Sequence, residues 1–442
     1  MADQSRLSLA LRALRNRNFR LFVAGQVISL IGTWMQTVAE SWLVYRLTGS
    51  SLLLGSVGFA SQFPVFLVAP LGGIVADRKN RHRILIMTQS ASMVLALIYA
   101  ALTISNRITV PWIFILAALL GIVNAFDIPT RQAFLVDMVG REDLMNAIAL
   151  NSSMFNGARI VGPAVAGILV AAIGEGWCFF ANGVSYIAVI ACLLMMQVEC
   201  KRRDNVQSTP LEDVREGFSY VFHTMPVRTL MLLLGMVSLV GMPYAVLMPV
   251  FADKILHGGA RGLGILMMCS GIGALGGALS LALRSGLKGL GRWVAVASGG
   301  FGLGLVLFSL SRNFWLSAAI LVPVGFSMMT QMASSNTLIQ AMVPDALRGR
   351  VMAVYSMMFM GGAPFGALFG GVMAEHVGAP LAVGVGGVAC VIGSIVFGTK
   401  LPALRAEARE LIIAQQMTGG APAQAQQVAA EHDTGDLTVR PV

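Results

Sequence analysis

The sequence predicts an all-α membrane protein with about twelve transmembrane helices. Three observations support this fold class: the composition, the length of the apolar runs and the positions of the basic residues. Hydrophobic residues make up 56% of the 442 residues, charged residues make up 12%, and the mean hydropathy is +0.75. The apolar runs continue for roughly 18–25 residues, which is enough for an α-helix to cross a bilayer. They lack the alternation that is typical of a transmembrane β-barrel.

The apolar runs divide the chain into two halves of six spans each. We number the predicted spans 1 to 12 and place them at residues 19–46, 52–76, 83–104, 110–136, 144–173, 177–197, 227–251, 259–283, 293–311, 314–340, 350–374 and 378–399. The predicted segments are a cytoplasmic basic N-terminus (1–18), an N-terminal six-helix bundle (19–197), a cytoplasmic linker (198–226), a C-terminal six-helix bundle (227–400) and a disordered cytoplasmic tail (401–442). One apolar face in the linker predicts an amphipathic helix on the inner leaflet: Leu211, Val214, Phe218, Val221 and Phe222.

The basic residues predict the topology. If both termini are cytoplasmic, the inner segments carry 24 Lys and Arg residues and the outer loops carry five, while Arg131 and Arg159 lie within spans. Such an excess in alternate short loops is typical of cytoplasmic segments, so we expect a multi-pass protein of the bacterial inner membrane. The net charge of +10 is explained without a nucleic-acid partner, because the lipid bilayer is the neighbour of these loops.

Several other function classes lack support in the sequence. We find no phosphate-binding loop of the G-x-x-x-x-G-K-[ST] type, no nucleophile elbow and no metal-ligand spacing among the histidines and cysteines. We therefore expect no enzyme activity, no catalytic residue, no metal and no cofactor. A proton gradient, rather than ATP, is then the expected source of energy for any transport.

The two halves of the sequence repeat. At an offset of 204 residues, the matching positions are Leu71-Gly72-Gly73 with Leu275-Gly276-Gly277, Gly121 with Gly325, and Val139 with Val343. The charges after Gly73 have no such counterpart: Asp77, Arg78 and Arg81 match Leu281, Ala282 and Ser285. A repeat of about six helices in parallel orientation is typical of transporters that hold their substrate between two bundles.

Two motifs resemble those of the major facilitator superfamily. The segment Gly73-x-x-x-Asp77-Arg78-Lys79-x-Arg81-x-Arg83 resembles its signature between helices 2 and 3, with Asn80 where a glycine is usual. The segment Gly162-Pro163-Ala164-Val165-Ala166-Gly167 in span 5 resembles its antiporter motif, with Ala166 where a glycine is usual. The resemblance implies the major facilitator fold, in which two six-helix bundles are related by a pseudo-two-fold axis.

A third segment narrows the resemblance. Phe126-Asp127-x-Pro129-x-Arg131-Gln132-Ala133-Phe134, followed by Arg141-Glu142-Asp143-Leu144, is similar to the bacterial subfamily of the enterobactin exporter and the macrolide-efflux proteins. The similarity implies a monomeric secondary transporter that exports a small organic molecule (a siderophore, a macrolide or another drug) in exchange for protons by alternating access. Two alternatives stay open: a proton-coupled or facilitative importer of a small nutrient, and a non-transporting membrane sensor or scaffold.

The superfamily resemblance also implies a conformational latch that consists of Gly73, Asp77, Arg78, Arg81 and Asp137. It implies that Asp77 sits against the cytoplasmic N-terminus of the helix at span 11, while Arg81 engages Asp137 at the foot of span 4. An anion at a helix N-terminus gains about 0.3–1 kcal/mol when exposed, which would bias a two-state equilibrium toward the outward-open state. The alternative is that these charges only fix the topology.

One face of span 1 is polar and consists of Gln26, Ser29, Thr33, Gln36 and Glu40, at steps of three and four residues. A polar face on a spanning helix has to point at protein or water, so we expect it to line the central cavity. Glu40 is the leading candidate for proton coupling, because a partly buried carboxylate can bind a proton near neutral pH. Alternatively, it is a carboxylate near the interface that pairs with Arg46 or is solvated.

Spans 4 and 5 carry the remaining candidates for the proton or substrate site: Asn124, Asp127 and Arg131 in span 4, and Asn156 and Arg159 in span 5. Asp127 and Arg131 are four residues apart, so they can form an internal ion pair. Alternatively, the pair is exchanged during the conformational change or opens when Asp127 binds a proton. Arg159 has no acidic partner in its own helix. It either pairs with Asp127 or Glu40 across the bundle or binds an anionic substrate.

Overall fold

The computed structural model describes residues 12–140, 142–197, 210–284, 286–287 and 289–418, apart from the side chains of 210–214 and 414–418. Arg141, the basic residues 201–203, Ser285 and residues 419–442 of the predicted tail lie outside this description, as do the side chains of Leu211 and Val214. A short 3₁₀ turn at Arg12–Arg15 precedes the helices, which we label α1 (Arg17–Thr48), α2 (Ser51–Arg78), α3 (Arg81–Ile104), α4 (Val110–Val139), α5 (Leu144–Ile173), α6 (Glu175–Leu194), α7 (Pro210–His223), α8 (Met225–Val246), α9 (Gly259–Ala282), α10 (Leu290–Leu310), α11 (Phe314–Met342), α12 (Asp345–Val377) and α13 (Ala379–Thr418).

Twelve of these helices are long and apolar enough to cross a membrane, and the described part of the chain contains no β-strand. Spans 1–6 correspond to α1–α6 and spans 7–12 to α8–α13, which confirms the predicted fold class. The observed and predicted helix bounds differ at the start of α12, which lies five residues before the predicted start of span 11. Its first turn carries the charged residues Asp345 and Arg348, which an apolar pattern cannot detect.

Span 7 was predicted as one uninterrupted helix, and the structure corrects this. α8 contains a π-helical turn at Val237–Gly241, and the chain continues through Met248–Val250 into a second π-helical turn at Phe251–Ile255. Pro243 and Pro249 lack an N–H group, so they cannot donate the bonds that a regular helix needs at these positions. Such π-helical turns are frequent near functional sites.

The two bundles meet along two helix pairs, α2 with α12 and α5 with α9. We call the end of the molecule at the α2–α3 turn the inner end and the end at the α1–α2 turn the outer end. Glycines allow close approach toward the outer end: an added Cβ on Gly55 of α2 would lie 2.8 Å from Cα of Gly371 in α12. The same holds for Gly167 of α5, whose added Cβ would lie 3.0 Å from Cα of Gly264 in α9.

The amphipathic helix predicted in the linker is α7, and its apolar face packs on the C-terminal bundle. Val221 is buried, and an added Cβ on Gly217 would lie 2.7 Å from the carbonyl oxygen of Arg350 in α12. The Tyr220 hydroxyl donates to the carbonyl of Met342 (3.2 Å). Burial raises the pKa of this phenol, so it stays a hydrogen-bond donor at neutral pH. In the described part of the apolar face, Val221 is buried by protein and Phe222 is 58% exposed, so the position of α7 on the inner leaflet stays a prediction.

The predicted disordered tail begins later than residue 401. α13 continues to Thr418, and Leu401 and Leu404 in this extension are buried. Ala408 and Ile412 follow at helical spacing and pack on the same apolar cluster of the C-terminal bundle. The prediction of disorder for residues 401–418 is wrong, because these four apolar side chains extend the helical stripe past Pro402.

Candidate substrate and proton sites

Arg81 links the inner ends of α2 and α4. Its guanidinium donates to both carboxylate oxygens of Asp137 (3.0 and 3.1 Å) and to the carboxylate of Asp77 (3.1 Å). Its Nε donates to the carbonyl of Ala76 (3.0 Å), and the side chain is only 13% exposed. The structure therefore brings together three of the five latch residues that the sequence suggested.

Asp77 faces Arg81 instead of the N-terminus of α12, where the resemblance placed it. Its side chain is 50% exposed, and Arg78 is exposed as well. An added Cβ on Gly73, or on Gly349 near the start of α12, would meet no atom within 4 Å. Neither glycine is therefore in close contact with another helix, and among the described residues this conformation lacks the contact between Asp77 and α12.

Close packing of α2 against α4 depends on Gly72 and not on Gly73. An added Cβ on Gly72 would overlap the carbonyl oxygen of Ala125 in α4. The neighbouring Gly73 faces open space instead. Of the two adjacent glycines, Gly72 therefore allows the close contact between α2 and α4, while Gly73 makes no close contact with another helix.

The antiporter-like motif of α5 lies at two helix contacts. Gly162 packs against α1, because an added Cβ would lie 2.5 Å from Cβ of Trp34. Gly167 packs against Gly264 of the C-terminal bundle, and the carbonyl oxygen of Pro163 lies against that same glycine. The motif therefore controls how closely α5 approaches both its own bundle and the other one.

Asp127 is the centre of a buried charge cluster in the N-terminal bundle. Its carboxylate accepts hydrogen bonds from Thr88 Oγ1 (2.9 Å) and Gln89 Nε2 (2.8 Å) on α3, and from Arg131 Nη2 (2.5 Å) on its own helix. Asp127 is 2% exposed, whereas the side chain of Arg131 is 24% exposed. The ion pair suggested by the spacing is therefore formed, and Asn124 lies half-buried about one turn away.

The polar face of α1 points mainly into the N-terminal bundle. Gln26, Ser29 and Gln36 are only 3%, 2% and 4% exposed, and Gln36 Oε1 accepts a hydrogen bond from Asn182 Nδ2 on α6 (2.6 Å). Thr33 is exposed, and its hydroxyl donates to the carbonyl of Ser29 (2.9 Å). In this conformation the three buried residues do not face an open cavity, and the role of this face in the substrate cavity stays a prediction.

Glu40 is half-buried toward the outer end of α1, where its carboxylate faces the hydroxyl of Tyr99 on α3. That hydroxyl donates to the carbonyl of Ile113 on α4 (3.2 Å). Arg46 binds a different carboxylate, that of Glu175 on α6, at 2.7 and 3.2 Å. The alternative in which Glu40 pairs with Arg46 is therefore contradicted, and proton coupling by Glu40 stays a prediction.

Arg159 lies midway along α5, at the boundary with the C-terminal bundle. Its guanidinium carbon is 5.7 Å from the ring centroid of Trp34 on α1, and it interacts electrostatically with Tyr244 on α8. Asp127 binds Arg131 instead, and Glu40 faces Tyr99. The alternative in which Arg159 pairs with Asp127 or Glu40 is therefore contradicted.

The other candidate of span 5 is buried and bonded within its own helix. Asn156 is 4% exposed, and its Nδ2 donates to the carbonyl of Ser152 one turn earlier in the same helix (2.9 Å). Its amide N–H is thus bonded to its own backbone, which is a common way to satisfy a polar group in a spanning helix. Within this conformation, Asn156 does not come together with Arg159 in an open site.

A contact between the two bundles at the outer end escaped the sequence analysis. Glu375, near the end of α12, accepts hydrogen bonds from the Ser50 hydroxyl and from the backbone N–H of Leu52, both at 3.1 Å. These groups form the N-terminus of α2, where a carboxylate is favoured. Glu375 and Glu175 lie just beyond the predicted ends of their spans, so neither was considered.

The sequence analysis also missed the polar partners in spans 3 and 6: Thr88, Gln89, Tyr99 and Asn182. A signal was present, because each is a polar group within an otherwise apolar run of membrane length. Such groups need a partner inside the protein. Nothing in the spacing shows which partner they choose, since that depends on how α3 and α6 are rotated in the bundle.

Comparisons with known proteins agree with this architecture. Residues 8–440 match the family described as transmembrane secretion effector. The staphyloferrin A transporter of Staphylococcus aureus is 28% identical over 384 residues, which cover 86% of this chain and 95% of that protein. The multidrug efflux pump Tap of Mycolicibacterium fortuitum is 25% identical, with 78% and 87% covered. The enterobactin exporter EntS of Shigella boydii is 23% identical, with 80% and 84% covered.

Solved structures share the fold at low sequence identity. The nucleoside transporter NupG has a TM-score of 0.66 at 13% identity, covering 87% of this chain and 99% of that one. A POT family transporter in complex with 5-aminolevulinic acid has a TM-score of 0.69 at 10% identity, covering 88% and 97%. With its twelve membrane-length helices in two bundles, the chain belongs to the transmembrane secretion effector family of major facilitator transporters.

Proposed function

We propose that the protein exports a small organic molecule (a siderophore, a macrolide or another drug) across the bacterial inner membrane in exchange for protons. The observation that carries the proposal is the buried pair of Asp127 and Arg131 inside a membrane-spanning bundle. Intramembrane carboxylates of this kind commonly serve as proton relays in transporters. Relatives named for siderophore transport, siderophore export and multidrug efflux support the substrate class.

Alternating access is supported by the difference between the two ends of the molecule. At the outer end, the Gly55–Gly371 and Gly167–Gly264 approaches and the Glu375 contact hold the bundles together. At the inner end, Gly73 and Gly349 face open space and Asp77 is half exposed. The loop charges predict that the inner end faces the cytoplasm, so in the proposed cycle this conformation is the one in which a substrate enters from the cytoplasm.

The latch operates in the opposite conformation. When the inner ends of α2 and α12 approach each other, Gly73 and Gly349 leave room for the contact. Asp77 then reaches the N-terminus of α12, while Arg81 stays anchored to Asp137 and positions the carboxylate. A carboxylate at this position stabilises the outward-open state by about 0.3–1 kcal/mol when it is exposed.

Protons act on a carboxylate of the N-terminal bundle. Protonation of Asp127 removes its charge and weakens its bond to Arg131, which lies partly exposed beside it. A change in this pair alters the contact between α3 and α4 through Thr88 and Gln89. Glu40, which faces Tyr99, is the second candidate for the same role.

The test is transport into inverted membrane vesicles, whose lumen corresponds to the outside of the cell. With an acidic lumen, protons leave the vesicle, so an antiporter accumulates its substrate inside. We expect accumulation of at least one of three probes, staphyloferrin A, enterobactin or erythromycin, and its collapse after addition of a protonophore. Accumulation only when the medium is acidic would show symport into the lumen. Accumulation of none of the three would remove the support that the relatives lend to this substrate class.

The same assay separates the alternatives. An importer of a nutrient would release preloaded compound from the lumen when protons flow outward with it. A sensor or scaffold would show no gradient-dependent movement of any probe, and Glu40→Gln or Asp127→Asn would change nothing in the assay.

A further inference from the structure

Arg159 lies near the middle of a membrane-spanning helix. α5 begins at Leu144 and ends at Ile173, so Arg159 lies 15 residues from one end and 14 from the other. At about 1.5 Å per residue, its Cα is about 22 Å from either end of the helix. A cation at this depth is expensive, and in membrane proteins such a residue marks a partner or a substrate pathway.

No described carboxylate serves as the partner of Arg159. Asp127 is bound to Arg131, and Glu175 is bound to Arg46. Asp77 and Asp137 are bound to Arg81 at the inner end. Arg159 therefore differs from the intramembrane Arg131, whose charge is balanced by a carboxylate one turn away.

The surroundings of Arg159 come from both bundles. Trp34 of α1 stacks beside the guanidinium at 5.7 Å, and Tyr244 of α8 interacts with it from the C-terminal bundle. The Tyr244 hydroxyl is 3.1 Å from the Ser270 hydroxyl of α9, which fixes the ring. An added Cβ on Gly271 of α9 would lie 3.1 Å from the carbonyl oxygen of Arg159, so α5 and α9 touch at this level. The guanidinium is thus held at the junction of the two halves, where substrates of such transporters bind.

We propose that Arg159 binds a carboxylate of the transported molecule, with the aromatic rings of Trp34 and Tyr244 contacting the apolar part beside it. This inference rests on the proposed function, because it names the substrate class of that transport. A guanidinium presents a planar fork of donors that matches a carboxylate with two parallel hydrogen bonds. Arg159 is only partly exposed, which limits competition from water for these donors. Since the rings come from different bundles, a bound anion contacts both halves. Its binding can therefore change the contact between α5 and α9.

The experiment measures equilibrium binding without any proton gradient. The purified full chain is placed in phosphatidylcholine nanodiscs, and the fluorescence of two probes is titrated: dansyl-glutamate, which carries two carboxylates, and its neutral dimethyl ester. We expect the wild-type protein to bind the acid about tenfold more tightly than the ester, which corresponds to one strong charge-assisted contact. Arg159→Gln should remove this preference and leave the affinity for the ester unchanged.

Two further variants keep the result interpretable. Arg159→Lys retains the charge without the planar fork, so the preference for the acid should fall without vanishing. Arg46→Gln removes an arginine that already has a carboxylate partner, so both affinities should equal those of the wild type. Thermal unfolding of each variant checks that it is folded. If Arg159→Gln fails to fold, Arg159→Lys decides: a reduced preference supports the proposal, and an unchanged one overturns it.

Several outcomes contradict the proposal directly. These are equal affinities of the wild type for acid and ester, no saturable binding of the acid, and a full preference for the acid in folded Arg159→Gln. Failure here is distinguishable from failure of the proposed function, because binding is measured at equilibrium and proton coupling is measured in vesicles. A protein that binds the acid through Arg159 but shows no proton-driven transport would keep this inference and lose proton antiport.

Discussion

Helices α4 and α11 occupy equivalent places in the two halves, yet their interiors carry different chemistry. At the offset of 204, Gly121 matches Gly325, and both face a backbone carbonyl of the neighbouring helix, that of Ser61 or Ser270. An added Cβ would overlap the carbonyl oxygen in either half. The close packing of these helix pairs is therefore shared architecture.

The polar residues below these glycines differ between the halves. Asp127 and Arg131 of α4 match Gln331 and Ser335 of α11. The Asp127 carboxylate accepts three hydrogen bonds, one of them from Arg131, whereas Gln331 and Ser335 are 0% exposed and have no hydrogen-bond partner among the described residues. The N-terminal half thus carries charged residues where the C-terminal half has uncharged ones, and the same holds at the inner loop, where Asp77 matches Leu281. We therefore expect proton chemistry in the N-terminal half and a passive polar interior in the other.

The largest effect is expected at Asp127. Asp127→Asn keeps the size of the side chain but removes the charge that balances Arg131 and the group that would bind a proton. We expect proton-driven accumulation in inverted vesicles to fall to the background level. Exchange of labelled for unlabelled substrate at equilibrium should continue, because it needs no net proton movement. Wild-type accumulation by this variant would break the proposed division between the halves.

The next effect concerns the one-sided charge at the inner loop. Asp77→Asn removes the carboxylate that α12 would receive in the outward-open state, so we expect export to be lost while the protein stays in the membrane. Export and the amount of protein in isolated membranes are measured together. The neighbouring exposed residue Lys79 provides a control, because Lys79→Gln removes a charge without touching Asp77, Arg81 or Asp137. Normal export by the Asp77 variant would leave these charges as topology determinants only.

The matched glycines test the shared architecture. Gly121→Leu and Gly325→Leu each place a side chain against a backbone carbonyl, so both should destabilise the protein by about 1–3 kcal/mol. Midpoints of thermal unfolding in detergent should fall in both variants. Gly73→Ala is the control, since its added Cβ meets no atom within 4 Å in this conformation. A decrease in only one of the two leucine variants would show that the packing is not equivalent.

Periodicity and charge were sufficient to place the helices, because each spanning helix has to bond its own backbone polar groups and carry enough apolar side chains to cross the lipid. Periodicity and charge did not predict features that depend on contacts between helices. The extension of α13 depends on buried Leu401 and Leu404, and the close contact of α7 with α12 depends on Gly217. The spacing predicted the bond between Asp127 and Arg131, because both lie on one helix. The partners of Gln36 and Arg46 lie on α6, and only the rotation of that helix selects them.

The smallest effect is expected at Gln331, and its smallness is informative. Gln331→Leu replaces a buried amide that lacks a partner among the described residues by an apolar group of similar size. Removing such a group costs little, because the substitution also removes the penalty of burying an unbonded amide. We therefore expect an unfolding midpoint equal to or slightly above that of the wild type and nearly normal transport. Asp127→Leu at the matching position should be strongly destabilising, because it leaves Arg131 without a counter-charge. If Gln331→Leu abolished transport while remaining stable, the polar interior of the C-terminal half would be part of the mechanism, and the proposed division of roles would fail.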